Sequence, residues 1–325
     1  MKKSILLATV LCFCAVVAIG QNPPRETSGG WRKYDNNPIL GGTLGTIFDV
    51  SVLKNDDSTY IMYNSWRTQK SIAISNSKDG FNWSSPIICF PFNNETGWEY
   101  DVNRPVVIKK DGIYHMWYTG QIGAATHEGH SWIGYVTSKD GKLWVRTHDK
   151  PVLSPELPWE GVALMSPHVI WDEQEKIFKM WYCGGEQMEP NAIGYATSKD
   201  GVHWEKYSKN PVFKADKQSE WENNRVGGCM VIKRENDYLM FYIGYKDIYY
   251  AQIGMARSKD GITNWERYSG NPIIAPGKGW DYHSTYKPYP VPDPENNRWL
   301  LYYNGRRYDH EQMGMAIHDG MDLGF

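Results

Sequence analysis

The stretch Ile193-Gly-Tyr-Ala-Thr-Ser-Lys-Asp-Gly-Val-His-Trp204, running on into Glu205-Lys-Tyr-Ser-Lys-Asn-Pro-Val-Phe213, is copied along the chain. Its Ser-Lys-Asp-Gly core starts at Ser77, Ser138, Ser198 and Ser258, and a degenerate copy, Met313-Gly-Met-Ala-Ile-His-Asp-Gly320, closes the chain. The period is about 60 residues, and self-similarity at a fixed period marks an array or a propeller. Inside one copy, alternation at Ile193, Tyr195 and Thr197 reads as a strand, and Asp-Gly supplies the positive φ of a tight turn. Asp79, Asp140, Asp200 and Asp260 are therefore turn residues that bond their own backbone, and the Trp that follows each turn (Trp83, Trp144, Trp204, Trp265) packs the same corner.

Two more strands complete each unit. The runs Tyr60-Ile-Met-Tyr-Asn-Ser65, Tyr114-His-Met-Trp-Tyr-Thr119, Phe178-Lys-Met-Trp-Tyr-Cys183, Tyr238-Leu-Met-Phe-Tyr-Ile243 and Trp299-Leu-Leu-Tyr-Tyr-Asn304 are second strands. Ahead of them lie inner strands at Val50-Ser-Val-Leu53, Pro105-Val-Val-Ile108, Pro167-His-Val-Ile170, Cys229-Met-Val-Ile232 and Pro288-Tyr-Pro-Val291. The N-terminal Trp31-Arg-Lys-Tyr-Asp-Asn-Asn-Pro-Ile-Leu40 matches the tail of a unit, whereas the chain stops just after a third strand. The two ends are thus expected to complete one sheet, closing an all-β, five-bladed β-propeller with four-stranded blades and no open edge.

Ahead of this domain, Met1-Lys-Lys, an apolar run from Ile5 to Ile19 and small residues at Ala18 and Gly20 read as a secretory signal peptide over residues 1–20. Residues 21–325 then form a single domain, exported to the periplasm or beyond, monomeric and without membrane insertion. With 35 basic and 37 acidic side chains there is no basic excess to suggest nucleic acid. Cys89, Cys183 and Cys229 remain after cleavage, an odd number without metal-ligand spacing, and read as buried thiols rather than a disulfide framework. His127-Glu-Gly-His130 lacks the helical spacing of a zinc motif and reads as loop, so no metal site is expected.

Function is expected where innermost strands begin and second strands end. The residue before each inner strand is Asp49, Arg104, Ser166, Gly228 or Lys287, and the residue ending each second strand is Trp66, Gln121, Gly185, Tyr245 or Arg306. Positions equivalent by repeat yet chemically different in every unit are not what folding demands. Conversely, Glu99, Glu160, Glu222 and Asp281 each follow a Trp in successive units, and that recurrence argues for structure. Asp49, Asp101, Glu186 and the bases Arg67, Arg104, Arg225, Lys287 and Arg306 break the repeat near the channel mouth; His283, which occurs once, divides between a site hydrogen bond and packing.

Across nearly the whole mature chain this pattern resembles the five-bladed glycoside hydrolases of families 43, 32, 117 and 130. Asp49-Val-Ser-Val-Leu followed by Tyr60-Ile-Met-Tyr is similar to the first-blade motif of family 43, which implies that Asp49 is a general base; the repeat itself is also similar to family 130. The positions at which family 43 places its other acids hold Ser166 and Gly228, so the proton donor is sought among the carboxylates that break the repeat. Glu186, or else Asp101, is expected as donor, and beside Arg104 Asp101 also suits the role of charge-tuning acid. The expectation is an exo-acting, inverting hydrolase of polysaccharide-derived oligosaccharides, with Trp and Tyr rings as sugar platforms. A phosphorylase of the family 130 type, using the bases to hold phosphate, and a non-catalytic carbohydrate-binding propeller are the alternatives. No cofactor is required, although resemblance to family 43 allows a divalent cation in the channel.

Overall fold

The computed structural model describes residues 26–55, 57–122, 129–186 and 190–325; the signal-peptide segment and His127 lie outside these. Strands dominate, and among the described residues helix is confined to 3-10 turns such as Gly42–Leu44 and Pro158–Glu160. None of the helices is long and apolar enough to cross a membrane.

Pairing groups the strands into successive antiparallel units. Unit one holds Ile47–Lys54, Tyr60–Trp66, Ser71–Ser77 and Ile87–Phe90. Unit two holds Asp101–Lys110, Ile113–Gln121 and Ser131–Ser138, with Val145 and Leu153 bridging to its third strand. Unit three holds Ala163–Asp172, Ile177–Gly185 and Pro190–Ser198, edged by Glu205–Lys206 and Phe213–Lys214. Unit four holds Arg225–Lys233, Tyr238–Tyr245, Ala251–Ser258 and Glu266–Arg267. Unit five holds Ser284–Asp293, Arg298–Arg307 and His310–Asp319, and its outer strand is the N-terminal Trp31–Lys33, with Trp31 opposite His318 and Leu40 bridging Met313.

The core sits between units rather than within them. One buried cluster joins units one and two through Tyr63, Phe90, Val107 and Met116, and the next joins two and three through Trp117, Ile133, Phe178 and Met180. Trp181, Ile193, Met240 and Tyr242 join three and four; Phe241, Met255, Leu301 and Tyr303 join four and five. Ile47, Met62, Leu300 and Met315 join five back to one.

The repeat motif explains why these faces hold. In every Ser-x-Asp-Gly turn the Asp carboxylate accepts the two backbone N–H groups that follow, as Asp200 does from Val202 and His203, and the Ser hydroxyl accepts the Gly N–H. The Gly carbonyl, freed by φ of 72 to 79°, accepts from an aromatic of the neighbouring unit: Tyr63 on Gly141, Trp117 on Gly201, Trp181 on Gly261 and Tyr302 on Gly80. Trp83 and Trp204 donate to the carbonyl of their own turn, the expected corner packing. The Asn of Asn-Pro substitutes for a strand residue: Asn37, Asn210 and Asn271 each exchange two hydrogen bonds with one backbone position, at Met315, Tyr195 and Met255.

The recurring acids are anchors. Glu99, Glu160, Glu222 and Asp281 are buried against Tyr118, Tyr182, Tyr242 and Tyr303 of the second strands, and each takes a base from an outer segment: Arg146, Lys206, Arg267 and Lys33. They tie the loop entering each unit to its outer edge, which is the structural role their recurrence implied. The thiols of Cys183 and Cys229 are buried and that of Cys89 half-buried, and all three are free.

Candidate active site

Asp49, Arg104, Ser166, Gly228 and Lys287 do not precede the inner strands as the sequence suggested; they lie inside them. Each has a left-handed φ between 49 and 53°, and around Asp49, Arg104, Gly228 and Lys287 the register slips, at Phe48/Ser51, Asn103/Val106, Gly227/Met230 and Tyr286/Tyr289. A bulge of this kind re-aims one side chain and frees one backbone N–H. That N–H is taken up by the preceding unit's second strand: Asn304 Oδ1 accepts from Asp49 (3.1 Å), Ser65 Oγ from Arg104 (2.8 Å), Thr119 Oγ1 from Ser166 (3.1 Å) and Cys183 Sγ from Gly228 (3.0 Å). Four of the five residues are not glycine, and backbone strain of this sort concentrates at functional sites.

All five line one cavity of about 150 Å³, together with Phe48, Arg67, Asp101, Gln121, Tyr245, Tyr286, Arg306 and Glu311. Among the described residues its charged walls carry three carboxylates (Asp49, Asp101, Glu311) against four cations (Arg67, Arg104, Lys287, Arg306). Asp49 is 3% exposed, and its Oδ2 is buried without a hydrogen bond, 3.5 Å from Arg104 Nε. Burial pushes its pKa up; Arg104, Lys287 and Arg67 pull down, Glu311 adds to the rise, and the net is upward. Lys287 is pushed down by its own burial, with Asp49 opposing.

The other cations have protein partners. Arg104 donates to Asn103 Oδ1 at 2.8 Å, Arg306 to the carbonyl of Tyr249 at 2.9 Å and to Ser284 Oγ at 3.1 Å, and Arg67 to Glu311. Arg104 therefore faces Asp49 rather than Asp101, which instead accepts from Asn103 at 3.2 Å; the bulge turns Arg104 inward, away from the neighbour that linear spacing suggested.

Glu186 does not join the cavity lining. Its carboxylate is 75% exposed and stands 4.0 Å from Arg225, itself outside the lining. Exposure removes the desolvation on which the expected donor role depended. His283 is also outside: its Nδ1 accepts from the backbone of Tyr308 at 3.0 Å and its ring packs on Tyr282 and Tyr308, the packing arm of the earlier alternative. Among the described residues no group of His, Cys, Asp and Glu is arranged to hold a metal ion.

Glu311 was missed. It stands two residues ahead of Met313, where the other units have Lys70, Ser131, Asn191 and Ala251, so the same test of broken repetition would have found it. Reading the closing copy only from Met313 hid it. Tyr286, a ring beside the cavity's cations, breaks the repeat as well, against Phe48, Asn103, Met165 and Gly227.

Comparison with known proteins now bears on this geometry. The family described as glycosyl hydrolases family 32 N-terminal domain matches residues 92–270, more than half of the chain. The chain belongs to that family. The matched span covers units two to four and leaves Asp49, Lys287 and Glu311 outside it. A 1,2-beta-oligomannan phosphorylase of Thermoanaerobacter sp. (strain X514) is 31% identical over 188 residues, 56% of this chain and 57% of that protein. Two solved structures share the fold at 20% identity: a glycoside hydrolase (TM-score 0.72, covering 86% of this chain and 89% of that one) and a thermostable family-43 glycoside hydrolase (TM-score 0.67, 86% and 91%). The resemblance to family 32, 43 and 130 enzymes is thereby supported, and the fold is that of carbohydrate-active enzymes.

Proposed function

We propose that this chain is a five-bladed β-propeller glycoside hydrolase that cleaves polysaccharide-derived oligosaccharides, with Asp49 as one of two catalytic carboxylates in the cavity. The five inter-unit clusters, the last leading back to the first, support the blade count. The observation that carries the function is Asp49 Oδ2: a buried carboxylate oxygen without a hydrogen bond, held at a strained backbone position and facing a cavity lined by side chains that break the repeat. A buried polar atom left unpaired costs stability, and a substrate hydroxyl or leaving oxygen would supply its partner.

Of the exposed rings, Tyr249 adjoins the cavity, its carbonyl accepting from the lining residues Arg306 and Ser284, and its face suits the apolar side of a sugar. Single displacement with inversion is the favoured course, as an exo-acting enzyme exported by the segment ahead of the domain. The engagement of Arg67, Arg104 and Arg306 by protein groups counts against an anionic sugar as the preferred substrate.

A phosphorylase is the second reading, favoured by the 31% identical oligomannan phosphorylase. It asks for phosphate-binding cations, and the engagement of the three arginines counts toward hydrolysis instead. A screen of oligosaccharides in phosphate-free buffer tests both: hydrolysis is expected there, with Asp49→Asn lowering turnover by about 10³-fold or more while substrate binding persists. Turnover that requires phosphate would establish the phosphorylase, and an Asp49→Asn enzyme of near-normal rate would remove Asp49 from the chemistry.

A further inference from the structure

We propose that Lys287 holds the substrate, its ammonium donating to a hydroxyl of the neutral sugar that occupies the cavity beside Asp49. This rests on the hydrolase reading above and singles out, among the cavity's cations, the one that selects the sugar.

The first ground is what the cavity leaves open. Glu311 accepts from Arg67 and from the Tyr286 hydroxyl, Asp101 accepts from Asn103, Arg104 donates to Asn103 Oδ1, and Arg306 donates to the Tyr249 carbonyl. Two charged side chains of the lining differ. Asp49 Oδ2 has no hydrogen bond, and the Lys287 ammonium has neither a hydrogen bond nor an ion-pair contact with any described residue. Lys287 is only 5% exposed. A buried charge without a partner is costly, and a group of that kind calls for a ligand or water that completes it.

The second ground is placement. Lys287 has the left-handed φ of 52° that marks the inner-strand bulges, and its stem reaches across to the bulge of unit four, where a Cβ added at Gly228 would stand 3.6 Å from Lys287 Cδ. The absence of a side chain at Gly228 thus makes room for the lysine of the next unit. Nothing in the fold asks for a lysine there, since the equivalent positions hold Asp49, Arg104, Ser166 and Gly228.

The third ground is the match to a hydroxyl. Asp49 and Lys287 lie close enough for each charge to act on the other, the lysine pulling the carboxyl down and the carboxylate opposing the downward push of burial on the amine. The cavity therefore offers an open donor in the field of an open acceptor. A sugar hydroxyl both accepts and donates, so it suits the two together; an anion offers acceptors, which suit the ammonium but are repelled by the carboxylate. The guanidinium forks that would hold an anion are already engaged by protein groups.

The test uses Lys287→Met in the full chain, with the oligosaccharide that the wild type cleaves and its monodeoxy analogues. In wild type, removal of one particular hydroxyl is expected to lower kcat/KM about 10- to 100-fold, the loss of a hydrogen bond to a charged donor. Lys287→Met should show that loss on the parent sugar, chiefly in KM, and no further loss on that analogue. Isothermal titration of the uncleaved oligosaccharide on an Asp49→Asn background reads binding without turnover, and adding Lys287→Met should weaken it about tenfold or more. Because the ammonium is buried without a protein partner, Lys287→Met should also melt about 2 °C or more above wild type, which the loss of a structural lysine would not produce. A variant that melts below wild type, or analogues that all lose equally in wild type and Lys287→Met, would overturn the proposal alone. Inorganic phosphate that displaces the sugar from wild type but not from Lys287→Met would give the ammonium to an anion and overturn it as well. A wild type that cleaves no glycoside, with an Asp49→Asn protein that binds none, would overturn the hydrolase reading together with this assignment.

Discussion

Glu160 offers a sharp separation of structure from chemistry, because it is a fully buried glutamate in a glycosidase fold to which no chemistry is assigned. Its Oε2 accepts from the backbone of Glu156 at 2.7 Å and Leu157 at 2.9 Å and from Lys206 Nζ at 2.8 Å, while Oε1 accepts from Tyr182 at 2.7 Å. Glu160→Gln keeps the shape but sets an amide N–H against donors and leaves Lys206 without its closest counter-charge. Breaking a buried ion pair from one side costs about 3–5 kcal/mol. At about 2–4 °C per kcal/mol for a domain somewhat smaller than this one, melting should fall by roughly 6–20 °C. Turnover per folded molecule should not change, because Glu160 is outside the cavity lining. Glu160→Gln with Lys206→Met should recover part of the loss, since the stranded charge is gone. Burial pushes the Glu160 carboxyl up, but the Leu157 N–H, Lys206, the Glu156 N–H and Tyr182 outweigh it, so its folded pKa lies below the ordinary value. Its contribution is therefore complete above the unfolded carboxylate pKa and fades as pH falls through the folded one, and the variant should show a shallower acid limb of stability. Differential scanning calorimetry across pH with parallel activity assays reads all of this. A shift under about 1 kcal/mol, or lost turnover at unchanged melting, would refute the anchor role.

Asp200→Ala should loosen one turn, costing on the order of 1 kcal/mol in urea unfolding while leaving turnover of the folded fraction intact. His168 donates through Nε2 to the carbonyl of Val231 at 2.8 Å, and burial holds its pKa down to about 4. The unfolded chain takes up that proton at higher pH than the folded one, so stability should drop as pH falls from about 6.5 to 4, by up to about 3 kcal/mol from this residue; His168→Gln should show a correspondingly smaller acid loss, and an identical pH profile would dismiss the linkage. Removing residues 26–40 strips the partner from the strand at His310–Asp319, and size-exclusion chromatography should then reveal self-association through the bared edge; a monomer of unchanged melting would show that this pairing contributes little.

The sheet order was legible because each unit repeats its turn chemistry, so one Ser-Lys-Asp-Gly-x-x-Trp read correctly is read several times over. The pairing of Trp31–Lys33 with the last strand followed from matching a unit's tail to its missing edge. Repetition also separated the buried anchors from the cavity residues, and placed Asp49, Arg67, Asp101, Arg104, Lys287 and Arg306 in one lining. What stayed hidden depended on geometry that linear spacing does not encode. Glu186 and Arg225 stand 4.0 Å from each other and are not among the residues lining the cavity, and His283 spends its nitrogen on the Tyr308 backbone. The bulges escaped because a left-handed Asp, Arg, Ser or Lys carries no sequence mark; only the glycine at 228 hinted at one, and it was read as a missing acid. Glu311 escaped for a different reason, since the closing copy of the motif was read only from Met313.

The left-handed residues behave as interchangeable sockets. Four of the five are braced from behind by the neighbouring second strand through their own N–H, which holds the backbone whatever side chain is presented. The braces are uneven: at the fifth socket the equivalent residue is Ile243, which offers Lys287 no acceptor, and its Cδ1 would stand 2.3 Å from a Cβ added at Gly228. One isoleucine therefore keeps one socket empty and another unbraced. Ile243→Ser should open the first and brace the second, and Gly228→Asp on that background would then bring a new carboxylate into the channel for about 1–3 kcal/mol of backbone strain, read as a loss of melting temperature. Chemistry in this architecture can thus change hands one socket at a time while the ring that carries it stays the same.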